Sequence, residues 1–266
     1  MTTGNKLANK VVYQQGLGQH HTIACENCSM NAICQPVEAD GQILDLSKNY
    51  LSKQIPVSAQ NSELPHNHTQ IKNSTLFKEQ TPLTSIYAVC SGVFKLCVTS
   101  KDGYEKVVGL RYPGELIGED ALFLERYNYS AIAIGQSSVC EVSVEQFSSC
   151  GKLVPELQQN LIQLLSKQSY VRQTNFQSFI GKKSADSLLA AFLINVTKRN
   201  EAYSGSSSQL NLIVSRNDVA NFLGLRRETL SRVFAKFQKE ELIKIEGKII
   251  HLLKKELLCD LANFHS

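Results

Sequence analysis

Three cysteines lie close together near the N-terminus, at Cys25, Cys28 and Cys34. Their spacing is C-x2-C-x5-C, which is close enough for three thiolates to bind one metal centre. Thiolates so spaced are suitable ligands both for zinc and for iron–sulfur clusters, and the spacing alone favours neither.

The rest of the composition indicates a globular protein of the cytoplasm. The 266 residues, 42% hydrophobic and 20% charged, are enough for two modest domains. No apolar run approaches the ~18 residues of a membrane helix, and the polar residues 1–19 lack the apolar core of a secretory signal. A reducing cytoplasm disfavours disulfides, so clustered cysteines among the eight present indicate metal or redox chemistry. The net charge of +4 permits nucleic-acid binding but does not indicate it.

A second group of residues has the spacing of a helix-turn-helix. Ser215 and Asp218 have the spacing of a capping box, and Gly224 separates the helix that follows from a second one, Arg227–Gln238. In this second helix Glu228, Ser231 and Arg232 share one face, because they are spaced i, i+3 and i+4. The opposite face is apolar and can pack inward: Leu230, Val233, Phe234 and Phe237.

The exposed face of this helix has the chemistry to read bases in the major groove. Arg232 can donate two hydrogen bonds to guanine, and Glu228 can accept one from cytosine. Three neighbouring cations can hold phosphates: Arg226, Lys236 and Lys239. The alternative is an ordinary solvated helix face. The cap, the glycine turn and a following basic hairpin at 243–252 favour DNA binding.

The segment from Thr75 to Phe147 is typical of an antiparallel β-roll. Short β-rich runs are predicted at Ser85–Val89, Val93–Thr99, Val107–Tyr112, Ala131–Ile134 and Val139–Val144. Turn signals separate them at Ser91-Gly92, Lys101-Asp102-Gly103 and Pro113-Gly114. A short amphipathic helix is predicted at Val37–Lys53, a surface loop at Pro56–Ser74, and a strand at Leu210–Val214.

A long helix is predicted from Gly151 to about Ile180. Apolar residues recur along it with a 3-4 spacing: Val154, Leu157, Leu161, Leu164 and Val171. So long a seam favours pairing with a second copy, with the polar seam residues Gln168 and Asn175 setting the register. The alternative is packing against the chain's own β-roll.

These elements predict an α+β protein with a cysteine-rich N-terminal segment, a β-roll, a dimerisation helix and a C-terminal winged helix-turn-helix. The predicted boundaries are 1–55 for the cysteine segment, 56–74 for the loop, 75–150 for the roll, 151–181 for the long helix and 182–266 for the DNA-binding domain.

The run Leu223-Gly-Leu-Arg-Arg-Glu-Thr-Leu-Ser-Arg232, with the roll and long helix before it, resembles the cyclic-AMP receptor/FNR superfamily of bacterial regulators. The resemblance covers nearly the whole chain apart from 56–74. In the FNR branch Glu-x-x-Ser-Arg reads a TTGAT-type half-site, and it falls here on Glu228, Ser231 and Arg232. Arg227 departs from the apolar residue usual in that branch. The cyclic-AMP branch has Arg there, so a base contact by Arg227 and a TGTGA-type half-site form the alternative.

The cysteine spacing also resembles the FNR cluster loop, which implies a 4Fe-4S cluster on Cys25, Cys28 and Cys34. The resemblance places the fourth ligand on Cys140, and strand alternation puts Cys140 on the same sheltered face as Val142 and Val144. The remaining cysteines have the character of small buried hydrophobes: Cys90, Cys97, Cys150 and Cys259.

Cyclic nucleotide is the other effector common in this superfamily. Its binding cassette needs an Arg-Ser pair, whose arginine neutralises the phosphate, some ten residues after a Gly-Glu. The chain has Gly118-Glu119, but the pair is Tyr129-Ser130, and a phenol carries no positive charge. The sequence therefore predicts no cyclic-nucleotide binding.

The resemblance implies an oxygen-responsive anaerobic regulator, not an enzyme. Its partners would be palindromic promoter DNA, a second copy of the chain and RNA polymerase. One alternative is the same fold switched by zinc, by thiol–disulfide chemistry or by a small ligand in the roll. Another is an iron–sulfur enzyme, against which the sequence has neither the C-x3-C-x2-C of radical chemistry nor a phosphate-binding glycine loop.

Overall fold

The computed structural model describes residues 28–31, 53–57, 74–145, 156–181, 184–204 and 209–262. The predicted fold class is confirmed: an antiparallel roll, a long helix and a winged helix-turn-helix follow one another along the chain. Most of the cysteine-rich segment and Cys150 lie outside the described residues, as does the helix predicted at Val37–Lys53 except for Lys53, which begins a strand.

The roll is built on an antiparallel sheet that contains both long and short strands. Its strands are β1 (Lys53–Val57), β2 (Thr75–Phe77), β3 (Ser85–Thr99), β4 (Glu105–Arg111), β5 (Leu116–Ile117) and β6 (Ser130–Ser143). The strand order is β1-β6-β3-β4, with β2 on β6 and β5 on β3. A short helix, α1 (Ala121–Leu124), follows β5.

Two long strands replace the four short ones predicted at 85–99 and 131–144. The predicted turn at Ser91-Gly92 is wrong, because β3 passes through it with a register shift on either side of Ser91. Gly92 has φ +78°, and a Cβ there would lie 2.1 Å from Oγ of Ser137 on the facing strand. The glycine therefore permits a bulge with close strand approach, which resembles a turn in sequence.

The strand β1 was not predicted, since Pro56 and Val57 were assigned to a loop. Pro56 lacks an N–H group and is tolerated in strands at sheet edges. Among the described strands β1 lies at one edge of the sheet, where it pairs with β6. Pro56 is a residue typical of loops, and for this reason the sequence predicted a loop where the five-residue strand β1 is found.

The helices after the roll are α2 (Glu156–Gln177) and α3 (Ala185–Ser204). The winged helix-turn-helix contains β7 (Gln209–Asn211), α4 (Arg216–Leu223), α5 (Arg227–Lys239), β8 (Ile243–Glu246), β9 (Ile249–Leu252) and α6 (Lys255–Leu261). The predicted hairpin is confirmed, with Gly247 at φ +62°, and the predicted strand at 210–214 is shorter and begins one residue earlier.

One hydrophobic core joins the roll to the DNA-binding unit. Val93, Leu110 and Tyr112 of the roll belong to the same buried cluster as Leu189 of α3 and Leu230 of α5. A separate aromatic cluster fills the inside of the roll, where Phe77 stacks on Tyr127 with ring centroids 3.6 Å apart. Among the helices described, none is long and apolar enough to cross a membrane.

Candidate DNA interface and cysteine site

The helix-turn-helix has the local geometry that its sequence predicts. The Ser215 hydroxyl accepts a hydrogen bond from the Asp218 N–H at 3.1 Å, which caps α4, and donates one to the Asp218 carboxylate at 2.6 Å. Gly224 ends α4 with φ +66°, a left-handed conformation that favours glycine. The Arg216 guanidinium lies 4.6 Å from the ring centre of Phe234 and helps to fix α4 against α5.

The recognition helix α5 presents the predicted base-reading residues to solvent. Glu228 and Arg232 are exposed and Ser231 is half-buried, whereas the opposite face is buried in the core at Leu230, Val233, Phe234 and Phe237. Arg226, at the N-cap, and Arg227 are also exposed. The arrangement gives α5 one polar face available to a groove and one apolar face that fixes its position.

The predicted phosphate contacts differ from one another. Lys239 is exposed at the end of α5. Lys236 donates a hydrogen bond to the Asp186 carboxylate of α3, and this contact raises the pKa of the lysine above its ordinary value. A phosphate would compete with Asp186 for Lys236, so Lys239 is the better test of a backbone contact.

Polar contacts that the sequence did not predict hold α4 against the roll. The Asn221 side chain accepts from the Val107 N–H at 2.9 Å and donates to the Glu105 carbonyl at 2.8 Å, both on β4. Lys95 of β3 is buried and contacts Glu105 at 2.7 Å and Asp218 at 3.2 Å. Asp218, the capping-box partner of Ser215, therefore also anchors the DNA-binding unit to the roll.

The short segment Cys28–Asn31 packs against the roll. Met30 is buried and lines a small apolar cavity together with Ile86, Val142 and Val144. Because side chains alternate along β6, Cys140 shares the face of Val142, about 7 Å away along the strand. Cys28 and Cys140 are both half-buried, and neither is in a disulfide. Cys25 and Cys34 lie outside the described residues.

The other described cysteines have the environments of core residues. Cys90 and Cys97 are buried, and Cys259 packs beside the main core. Burial raises the pKa of the Cys97 thiol to about 12, which disfavours the thiolate that binds metals. Among the described residues, no three His, Cys, Asp or Glu side chains come together as a metal site.

The positions of a cyclic-nucleotide cassette are occupied by the protein's own contacts. The Tyr129 hydroxyl accepts from the Gly118 N–H at 2.9 Å and donates to Asp120 at 2.9 Å. Burial raises the pKa of Tyr129 well above its ordinary value, so the phenol is neutral. Glu119 lies toward α2, where its carboxylate is 3.3 Å from the Arg172 guanidinium.

The structure places the described part of the predicted dimer seam against the chain's own roll. Leu164 is buried, and Leu161 and Leu164 line the cavity with Met30. The seam's polar residues make contacts within the chain: Gln168 donates to Ser29 at 3.1 Å, and Asn175 accepts from Asn195 at 2.9 Å. Val171 is half-buried, and Val154 and the side chain of Leu157 lie outside the described residues.

Another face of α2 carries exposed apolar side chains that the 3-4 spacing of the seam does not predict. Ile162 is 66% exposed and Phe176 is 68% exposed, and they lie two heptads apart on one side of the helix. Tyr170 is also exposed but lies about 80° further round the helix from Ile162, and Ile180 follows just beyond the helix end. Serines at 166 and 169 interrupt this stripe, which weakens its signal in the sequence.

Comparison with known families matches residues 71–152 to a cyclic nucleotide-binding domain and 189–261 to a Crp-like helix-turn-helix domain. The chain is 33% identical over 246 residues to the transcriptional activator protein Anr of Pseudomonas protegens, covering 92% of this chain and 95% of the relative. It is 30% identical over 240 residues to the fumarate and nitrate reduction regulatory protein of Escherichia coli, covering 90% of each.

The structure of FixK2 from Bradyrhizobium japonicum has the same fold, with a TM-score of 0.65 at 19% identity, covering 79% of this chain and 97% of that one. The matched families and relatives are transcription regulators and not enzymes. With a roll, a long helix and a Crp-like helix-turn-helix in the same order, this chain belongs to the Crp/FNR family of DNA-binding transcription regulators.

Proposed function

We propose that the protein is an oxygen-responsive regulator that binds palindromic promoter DNA as a homodimer when a 4Fe-4S cluster is bound. The observation that carries the proposal is the burial of Met30 on the face of β6 that bears Cys140. Cys28, two residues before Met30, and Cys140, two residues before Val142, are the two proposed ligands that the structure describes, and this shared packing supports the proposal. The names of the relatives in Pseudomonas protegens and Escherichia coli, both regulators, support it.

The donor set fits such a cluster. Cys25, Cys28, Cys34 and Cys140 supply four thiols, and the described pair, Cys28 and Cys140, is half-buried. When bound, the cluster supplies an oxygen-labile link between the N-terminal segment and the roll. The chain's own residues then carry the effect: Ser29 next to Cys28 contacts Gln168 of α2, so the segment's position bears on the long helix.

On DNA, we assign base contacts to Glu228, Ser231 and Arg232, and backbone contacts to Arg226, Lys236 and Lys239. Arg227 stays a candidate base contact. Two copies of α5 in adjacent major grooves, one helical turn apart, would read the two half-sites. RNA polymerase is a further proposed partner.

We assign the dimer contact to the exposed stripe of α2 that contains Ile162 and Phe176, because the seam with Leu164 already packs on the roll. Large apolar side chains exposed in a row indicate a protein interface. A second copy is the occupant that a palindromic site requires.

Ile162→Glu is expected to convert the cluster-loaded protein from dimer to monomer, because it would place two carboxylates in an apolar contact. Sedimentation velocity without oxygen measures this directly. Lys167→Glu is the control, since Lys167 is exposed about 140° around the same helix. If the Ile162→Glu protein remained a dimer, the dimer contact would have to lie on another face of the protein.

Cyclic AMP is expected not to bind. The Gly118 N–H already donates its hydrogen bond to the Tyr129 hydroxyl, and this neutral phenol supplies no positive charge for a phosphate. Isothermal calorimetry of the purified protein should show no heat of binding at micromolar nucleotide. A micromolar affinity would instead support the small-ligand alternative.

Anaerobic purification with iron, sulfide and zinc analysis tests the proposed function. We expect about four irons and four sulfides per chain, brown protein, and tight binding to a palindrome selected from random DNA. Colourless protein with one zinc would support the zinc-switched alternative. Exposure to air should bleach the colour and lower the DNA affinity together.

A further inference from the structure

We propose that the turn between β4 and β5 couples the cysteine segment directly to the DNA-binding unit, through the ion pair of Glu115 and Arg199. This route is separate from pairing of α2 between subunits. The inference rests on the proposed function and deepens it, because it names two positioning residues of the switch.

The first link joins the cysteine segment to the turn. The Ser29 hydroxyl, on the residue after Cys28, donates to the Gly114 carbonyl and accepts from Gln168 at 3.1 Å. A serine hydroxyl can do both at once. A displacement of Cys28 therefore acts on the turn as well as on α2.

The second link joins the turn to α3. Glu115, next to Gly114, receives a bidentate contact from Arg199, with Nε–Oε1 at 2.7 Å and Nη2–Oε2 at 2.5 Å. The same Nη2 donates to the Leu110 carbonyl at 2.7 Å, and the Tyr112 ring centre lies 4.4 Å from the guanidinium. The two charged side chains are 16% and 14% exposed, so solvent and salt screen the pair little. Its fork geometry fixes direction as well as distance.

The turn itself holds the carboxylate in place. The Tyr112 N–H donates to Oε2 of Glu115 at 3.2 Å, and Gly114 adopts φ +85°. A rearrangement of Gly114 therefore moves the acceptor of the Arg199 pair. Backbone geometry links the two contacts without an intervening side chain.

The third link is the packing of α3 under the recognition helix. Leu189 and Phe192 of α3 are buried in one core with Leu230 and Phe234 of α5. Close-packed cores transmit displacements instead of absorbing them. Asn195, one turn before Arg199, donates to Asn175 of α2 at 2.9 Å, so α3 is held at two places.

The experiment compares wild type with Arg199→Ala, using Lys198→Ala as a matched control, since Lys198 is the exposed neighbour on α3. DNA affinity for the selected palindrome is measured by fluorescence anisotropy in the cluster-loaded and cluster-free forms. Iron content and dimer fraction are measured on the same samples. We expect Arg199→Ala to weaken loaded binding about tenfold, or roughly 1.4 kcal/mol. Iron, dimer fraction and cluster-free affinity should stay at wild-type values.

Two further measurements guard against a simple loss of folding. Arg199→Lys keeps the positive charge but cannot make the bidentate contact with Glu115. We expect it to lower the DNA affinity of the cluster-loaded form by about threefold and to leave the midpoint of thermal unfolding unchanged. Hydrogen exchange should show that cluster loading protects both the turn 112–115 and α3 in wild type. In Arg199→Ala, cluster loading should still protect the turn from hydrogen exchange but should no longer protect α3.

The proposal is overturned if Arg199→Ala keeps the full ratio of loaded to cluster-free affinity. It is also overturned if DNA affinity falls only in proportion to the dimer fraction, because the α2 route would then account for the effect. A wild-type protein that holds no iron would refute the proposed function itself, before any variant is compared.

Discussion

Cys140→Ser protein purified without oxygen is expected to lose the visible absorbance of the cluster and most of its specific DNA binding. A serine hydroxyl stays protonated at neutral pH and is a poor substitute for a soft thiolate ligand. The strand β6 is paired with β1 and β3 around Cys140, so the sheet holds this residue in place and no neighbour on β6 can take its position. Absorption spectra and iron analysis on the same sample measure the loss.

Cys97→Ser is the matched control for this variant, because Cys97 lies in the same sheet. Its thiol is buried with a pKa of about 12, so its replacement should leave the absorbance intact. Cys25→Ser, Cys28→Ser and Cys34→Ser should behave like Cys140→Ser. Full absorbance in Cys140→Ser would remove this residue from the ligand set and leave the fourth ligand to be found elsewhere.

Arg232→Ala is expected to cost about 1–3 kcal/mol of binding to the preferred palindrome, as the loss of a bidentate guanine contact does. The cost should concentrate at one guanine per half-site, so discrimination there should relax. Binding of single-base variants of the site, measured by anisotropy at fixed salt, gives the affinity and the discrimination together.

Lys239→Ala provides the contrasting case. An exposed lysine that contacts only phosphate should weaken all DNA sequences alike and reduce the salt slope by about one. Removal of Glu228 should broaden the preference at the neighbouring cytosine. If Arg232→Ala weakened every sequence equally, Arg232 would be a backbone contact.

Selection of TTGAT-type palindromes would place Arg227 on the backbone, whereas TGTGA-type sites would place it on a base.

The helix-turn-helix was predictable because its signals are local. The Ser215 cap acts three residues away, and Gly224 determines the turn by its own φ, so neither depends on distant contacts. The apolar face of α5 follows from helical spacing alone. What the sequence did not predict there is how Asn221 and Lys95 attach the unit to the roll.

The roll and the long helix were harder because their partners are distant in sequence. Gly92 is a turn signal by composition, yet its bulge exists only because β6 lies opposite. The 3-4 spacing on α2 correctly grouped Leu161, Leu164 and Gln168 on one face, but periodicity does not say what covers a face. Glu115 and Arg199 are 84 residues apart, and no local pattern links them.

The contact of Asn221 with β4 also bears on the solubility of the protein. β4 is an edge strand, and edge strands with unpaired N–H and C=O groups are templates for association with other chains. The Asn221 amide satisfies the Val107 N–H and the Glu105 carbonyl as a neighbouring strand would. The DNA-binding unit thus shields the open side of the sheet, and Asn221→Ala would expose a site for intermolecular strand pairing and aggregation.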